Sequence, residues 1–161
     1  MNPSYFRIKL ARDEALERLC AWNKRPIREE IEVEYAKAVS VAVDENGLWK
    51  GVCLYVYENA GWTVFEELSG YHSFVDAEDW KAFAGDDSLV VAGYDEALLS
   101  AEFVVIENGT LVKNFTEIED TPEKNVNQGT GFDEISSWVD VASFVDDDDL
   151  AYSGDGAVVI L

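Results

Sequence analysis

Phe103-Val104-Val105-Ile106-Glu107-Asn108-Gly109-Thr110-Leu111-Val112-Lys113-Asn114-Phe115 decides the fold of this chain. Two β-rich runs flank Asn108-Gly109, a dipeptide that readily adopts the two positive φ values of a type I′ turn. The stretch therefore predicts a tight antiparallel hairpin, and with it a sheet built from local returns of the chain. Working outward, Leu89 to Ala92 is a short apolar run that supplies another strand. Between Asp76 and Ala84, Trp80, Phe83 and Ala84 mark one face of a short helix; Asp76 can cap its start and Gly85 suits a left-handed C-terminal position.

Further towards the N-terminus, Val33, Tyr35, Val39, Val41 and Val43 recur at period two, interrupted by Lys37. Asp44-Glu45-Asn46-Gly47 supplies turn chemistry, and Leu48 to Tyr57 resumes the β pattern, so a long hairpin is expected. A second turn at Asn59-Ala60-Gly61 leads into Trp62 to Phe65 and makes a three-stranded meander. Asp13 to Asn23 places Leu16, Leu19, Cys20 and Asn23 at helical spacing and ends before Pro26. Downstream, residues 117–131 are polar and read as a long exposed loop. Ile135, Trp138, Val139 and Ala142 suggest a third helix, and Ala157 to Leu161 a terminal strand. The expected fold is α+β: an antiparallel sheet of five to seven strands with two or three packed helices. No repeat or linker divides the chain, so one domain over 1–161 is expected, with a helical N-terminal region 1–30 and an acidic body 38–161.

Charge is distributed unevenly between those regions. The chain carries a formal net charge of −21. Residues 38–161 hold 26 acids against Lys50, Lys81, Lys113 and Lys124, a net of −22, while the first 37 residues balance to +1. Disordered acidic chains are poor in large apolar residues, whereas this one is 48% hydrophobic with five Trp, seven Tyr and eight Phe, so the acidity belongs to a folded protein. Such a field repels nucleic acid and anionic lipid and favours a basic partner. No apolar run approaches the roughly 20 residues that span a bilayer, and Arg7 and Lys9 interrupt the only apolar stretch near the start. Cys20 and Cys53 lack any ligand or CxxC spacing and read as reduced core thiols of a cytoplasmic protein.

Catalytic and metal chemistry find little support. His72 is the only histidine, stands in no Gly-x-Ser-x-Gly context and reads as a turn or surface residue before a helix. Asp146-Asp147-Asp148-Asp149 fails as a calcium loop, because Leu150 stands where an oxygen ligand is needed and the required Gly and terminal Glu are absent. Four adjacent like charges read instead as a solvated patch. Gly154-Asp155-Gly156 puts a carboxylate where a bound phosphate would sit. The chain is therefore expected to use no cofactor and not to be an enzyme.

Phe83-Ala84-Gly85-Asp86-Asp87 and Trp138-Val139-Asp140-Val141-Ala142-Ser143-Phe144 are similar to stretches of small acidic bacterial proteins. In size and charge asymmetry the chain resembles the immunity proteins that bacteria co-produce with polymorphic or contact-dependent toxins, many of them basic nucleases. The resemblance implies a one-to-one inhibitor whose carboxylates cover a toxin's phosphate-binding surface or lock it from a neighbouring site. The expected partner surface is the set of acidic, loop-rich segments: Asp86 and Asp87; Glu117, Glu119, Asp120 and Glu123; and Asp146, Asp147, Asp148 and Asp149. Other readings of the same charge are a DNA mimic, a small enzyme or ligand-binding domain with a carboxylate site, and a domain whose acidity serves solubility alone.

Overall fold

The computed structural model describes residues 4–148 and 155–161. Among them nine strands form one antiparallel sheet and four α-helices pack on its two faces. The strands are β1 (Ser4–Ile8), β2 (Glu29–Glu34), β3 (Cys53–Asn59), β4 (Trp62–Glu67), β5 (Leu89–Asp95), β6 (Ser100–Glu107), β7 (Thr110–Ile118), β8 (Val126–Gly129) and β9 (Asp155–Ile160). The helices are α1 (Arg12–Asn23), α2 (Ala38–Ala42), α3 (Ala77–Ala84) and α4 (Trp138–Asp147). The spatial order is β2-β9-β3-β4-β1-β5-β6-β7-β8. The α+β class is as expected, and the sheet is larger than the five to seven strands expected.

The decisive hairpin forms as its turn dictates. Asn108 and Gly109 have φ of 48° and 82°, and Glu107 pairs with Thr110 across the turn. The Asn59-Ala60-Gly61 turn likewise joins β3 to β4, with Ala60 and Gly61 both at positive φ. Period-two alternation then divides the sheet between two cores. Phe6, Ile8, Leu54, Val56, Phe65, Val91, Val104 and Ile106 face α1 and α3, which contribute Leu16, Leu19, Trp80 and Phe83. Tyr5, Tyr55, Tyr57, Val64, Val90, Phe103 and Val105 face α2 and α4, which contribute Ala38, Ala42, Val141 and Val145. With both faces covered, the central strands are buried almost throughout, which antiparallel sheets with one wet face are not.

The structure departs from expectation in four places. The central strand β1 carries Arg7, which breaks its apolar pattern; Arg7 is nevertheless buried, ion-paired to Asp148 and lying 5.0 Å over the Trp62 ring. The expected long strand through Val43 stops at Glu34, where a 3₁₀ turn (Tyr35–Lys37) and α2 take over. Ala38 and Ala42, four apart, are fully buried while Val39 is 46% exposed, so close packing of two small residues on one helical face overrides the β preference of the valines. The Asp44 turn survives as a small loop closed by a single Val43–Trp49 bridge. The expected loop 117–131 holds the end of β7 and the polar edge strand β8, whose short length and exposed side chains suit an edge. Finally, Asp76 makes no side-chain cap bond, and Gly85 sits at φ 58°, ψ −123°, outside the left-handed helical region.

Candidate functional site

Register sets two rows of side chains side by side on the α1/α3 face. In the first, Phe65, Phe6, Val91 and Val104 are direct neighbours across β4, β1, β5 and β6. Two residues further along each strand the same face presents Glu67, Ser4, Gly93 and Glu102. Ser4 pairs with Gly93 and Gly93 with Glu102, while the Tyr5–Glu66 pair puts Ser4 beside Glu67. The two middle positions are small by necessity, since a Cβ on Gly93 would stand 2.8 Å from Ser4 Oγ. Two glutamates thus flank a gap, and the segment linking β4 to α3 arches over it. The result is a cavity of about 330 Å³ whose walls include Trp49, Phe74, Tyr94 and Leu98.

The two glutamates are in different states. Glu67 is fully engaged: Oε1 accepts from Ser69 Oγ at 3.0 Å and from the Tyr71 amide at 3.2 Å, and Oε2 lies 2.7 Å from His72 Nδ1. His72 Nε2 lies 2.9 Å from Asn23 Oδ1, whose orientation is fixed because Asn23 Nδ2 donates to the Leu19 carbonyl. The His72 ring is also stacked on Trp22 at 5.4 Å. Among the described residues Glu102 has one bond, from the Phe74 amide to Oε2 at 2.6 Å, and it is 6% exposed. Burial pushes its pKa up to about 7, with the Phe74 amide opposing and Glu67 adding to the rise. No Lys or Arg is among the described residues that line the cavity.

His72 accordingly lies in a turn before a helix, as one of the expected alternatives has it, but it is buried and not at the surface. The nitrogen that a serine or cysteine nucleophile would need is taken by Asn23, so the His72–Glu67 pair does not present a hydrolase dyad to a substrate. Among the described residues no group of three His, Cys, Asp or Glu side chains could hold a metal ion, and no helix is long and apolar enough to cross a membrane. Neither described cysteine is in a disulfide.

The acidic segments expected to meet a partner do not gather at one place. Asp86 is exposed, but Asp87 takes an ion pair from Arg18 at 2.8 Å, and both precede the start of β5, at the opposite end from the cavity. Glu117 pairs with Ala101 at the cavity end of the sheet, where its carboxylate accepts the Trp138 amide at 3.1 Å and holds the start of α4. Glu119, Asp120 and Glu123 follow it, exposed. Asp146 and Asp147 are exposed in the last turn of α4, and Asp146 adds to the raised pKa of Tyr94 beside the cavity, after burial of that phenol. Asp148 departs from the solvated run: its side chain is 7% exposed, ion-paired to Arg7 and hydrogen-bonded by Tyr5. Burial, then the Asp148 bond, holds the Tyr5 phenol well above its ordinary pKa. Asp149 lies outside the described residues.

Glu66, next to Glu67, points to the other core. Burial raises its pKa to about 7, against a hydrogen bond from the Tyr57 hydroxyl at 3.0 Å and with the Asp148 charge adding to the rise. No family model matches this chain, and no curated protein or solved structure matches it either.

Proposed function

We propose that this chain is a binding protein that neutralises a basic protein partner, acting as an immunity protein towards a toxin domain. The observation that carries the reading is the pairing of negative charge with exposed apolar surface at one end of the sheet. Phe74 and Leu98, 45% and 60% exposed, flank the carboxylate-lined cavity, and exposed Leu48 adjoins its wall residue Trp49. Asp95, Glu102, Asp146 and Glu117 to Asp120 lie at the same end. Exposed apolar anchors among acids are what a tight interface with a basic protein needs: apolar contacts hold the complex and the charge steers its encounter. In the N-terminal third, by contrast, Arg7, Arg12 and Arg18 are each ion-paired within the fold, to Asp148, Glu30 and Asp87.

The alternative of a small-ligand domain draws on the cavity itself, whose volume is at the lower end of the roughly 300–1,000 Å³ typical of ligand sites. Affinity capture from the source cells at low salt, followed by co-expression of the captured protein with and without this chain, separates the two. Capture of one basic protein whose activity this chain suppresses supports neutralisation. Recovery of no basic partner at low or high salt removes it.

A further inference from the structure

We propose that the cavity between Glu67 and Glu102 is the receptor for an arginine side chain of the basic partner, with the guanidinium set against the Glu102 carboxylate. The inference rests on the neutralisation reading above and deepens it by naming the anchor and its socket.

Four observations lead there. Glu102 is buried, borders the cavity and spends only Oε2 on the protein, leaving Oε1 without a bond among the described residues. Of the neighbouring carboxylates, Glu67 is already satisfied by Ser69, Tyr71 and His72, while Asp95, whose Oδ1 accepts from the amides of Ala97 and Leu98, is less buried than Glu102. No basic side chain from the described residues enters to neutralise Glu102. The lining, moreover, suits a flat cation on an apolar stem, since it includes Trp49, Phe74, Tyr94 and Leu98.

Guanidinium suits this site better than ammonium does. It is planar and weakly hydrated, stacks on aromatic faces, and brings five N–H donors in a fixed fork. One edge can meet Glu102 Oε1 while the remaining donors reach the hydroxyls of Ser4 and Ser100, which line the same space. Arginine is also among the side chains that most often act as buried anchors in protein interfaces.

Of the titratable groups, Glu67, bonded to His72, acts on Glu102 directly, Asp95 and Tyr94 line the same cavity, and Asp146 acts on Tyr94. A guanidinium requires the ionised carboxylate, so occupancy competes with a proton on Glu102. Binding is expected to weaken by about tenfold for each pH unit below the carboxyl's titration, down to the point where the other acids begin to protonate.

The probe is N-acetyl-arginine methylamide, titrated against the full chain at pH 8 while the Trp49 indole N–H resonance is followed. The citrulline analogue, equal in shape but uncharged, and the lysine analogue run beside it. The expected result is saturable binding of the arginine probe, at least tenfold weaker binding of the citrulline probe, and an equal loss in Glu102→Gln. Equal response to arginine and citrulline, or an unchanged response in Glu102→Gln, overturns the assignment. Leu98→Ala, at an exposed position that folding does not need, gives a second arm and is expected to weaken the captured basic protein several-fold. A captured partner whose affinity is the same for wild type, Glu102→Gln and Leu98→Ala overturns the socket while leaving neutralisation standing. Probe binding with no basic partner recovered removes neutralisation, and the partner-arginine assignment with it, and makes the site one for a free small cation.

Discussion

Replacing Glu102 by Gln is expected to stabilise this protein at alkaline pH while weakening what it binds. The native carboxyl titrates at about 7 against an ordinary 4.5, chiefly because burial penalises its charge. A raised native pKa means that the folded state holds a proton the unfolded chain has lost. Stability from this group is therefore complete below about pH 4.5 and declines as pH rises towards 7. Once Glu102 is ionised in both states, the folded state has lost about 3 kcal/mol. Gln resembles the protonated carboxyl in shape, and its amide oxygen can still accept the Phe74 N–H. The gain over wild type should thus be under about 1 kcal/mol at pH 5 and rise to at most about 3 kcal/mol at pH 8. It is reduced by whatever the new amide protons fail to find as acceptors. Urea unfolding of both proteins at pH 5, 6, 7 and 8 measures it, and the Glu66 contribution cancels because both chains carry it. A difference between the two proteins that stays flat with pH would refute the burial of an ionisable Glu102.

Three other outcomes follow from the same structure. Asp148→Ala leaves the buried Arg7 charge without its ion pair and should cost about 3–5 kcal/mol in chemical denaturation, whereas Asp146→Asn with Asp147→Asn, both exposed, should leave the midpoint within about 0.5 kcal/mol. Gly109→Ala would put a Cβ 2.8 Å from the Gly85 carbonyl oxygen at a φ of 82°, so a loss of at least about 1 kcal/mol is expected in the same assay. Added sodium chloride should raise the melting temperature of wild type, because screening within about 10 Å at 0.1 M relieves repulsion in a chain of net charge −21; a melting temperature that falls with salt would show that attractive pairs dominate.

Turn chemistry and local periodicity carried the sequence reading furthest. Asn108-Gly109, Asn59-Ala60-Gly61 and the Trp80-Phe83-Ala84 face each act over a few residues and are legible without the rest of the fold. The central strand was not, because Arg7 is held inside the sheet by partners distant in sequence, the Trp62 ring and Asp148, the latter 141 residues away. The polar edge strand β8 has no apolar pattern to read, and α2 depends on two alanines finding a shallow space on the sheet. Acidity pointed to the kind of partner expected, but surface runs of Asp and Glu drew attention from single buried carboxylates. A signal for the cavity was present nonetheless. Glu102 interrupts Ser100 to Ile106, a strand otherwise apolar along most of its length, and Gly93 breaks the run from Leu89 to Tyr94. A charge and a glycine at inward positions are local inconsistencies of the kind that mark functional sites. Only the register of four strands, however, shows that they are neighbours.

The most direct test of the central claim is the dissociation constant of the captured basic protein, measured for wild type and Glu102→Gln at pH 8 across a series of salt concentrations. Steered association onto an anchoring socket predicts that affinity falls with salt mainly through the association rate, and that Glu102→Gln weakens binding at least tenfold through faster dissociation at every salt concentration. Affinity that is indifferent to both salt and Glu102→Gln would contradict it.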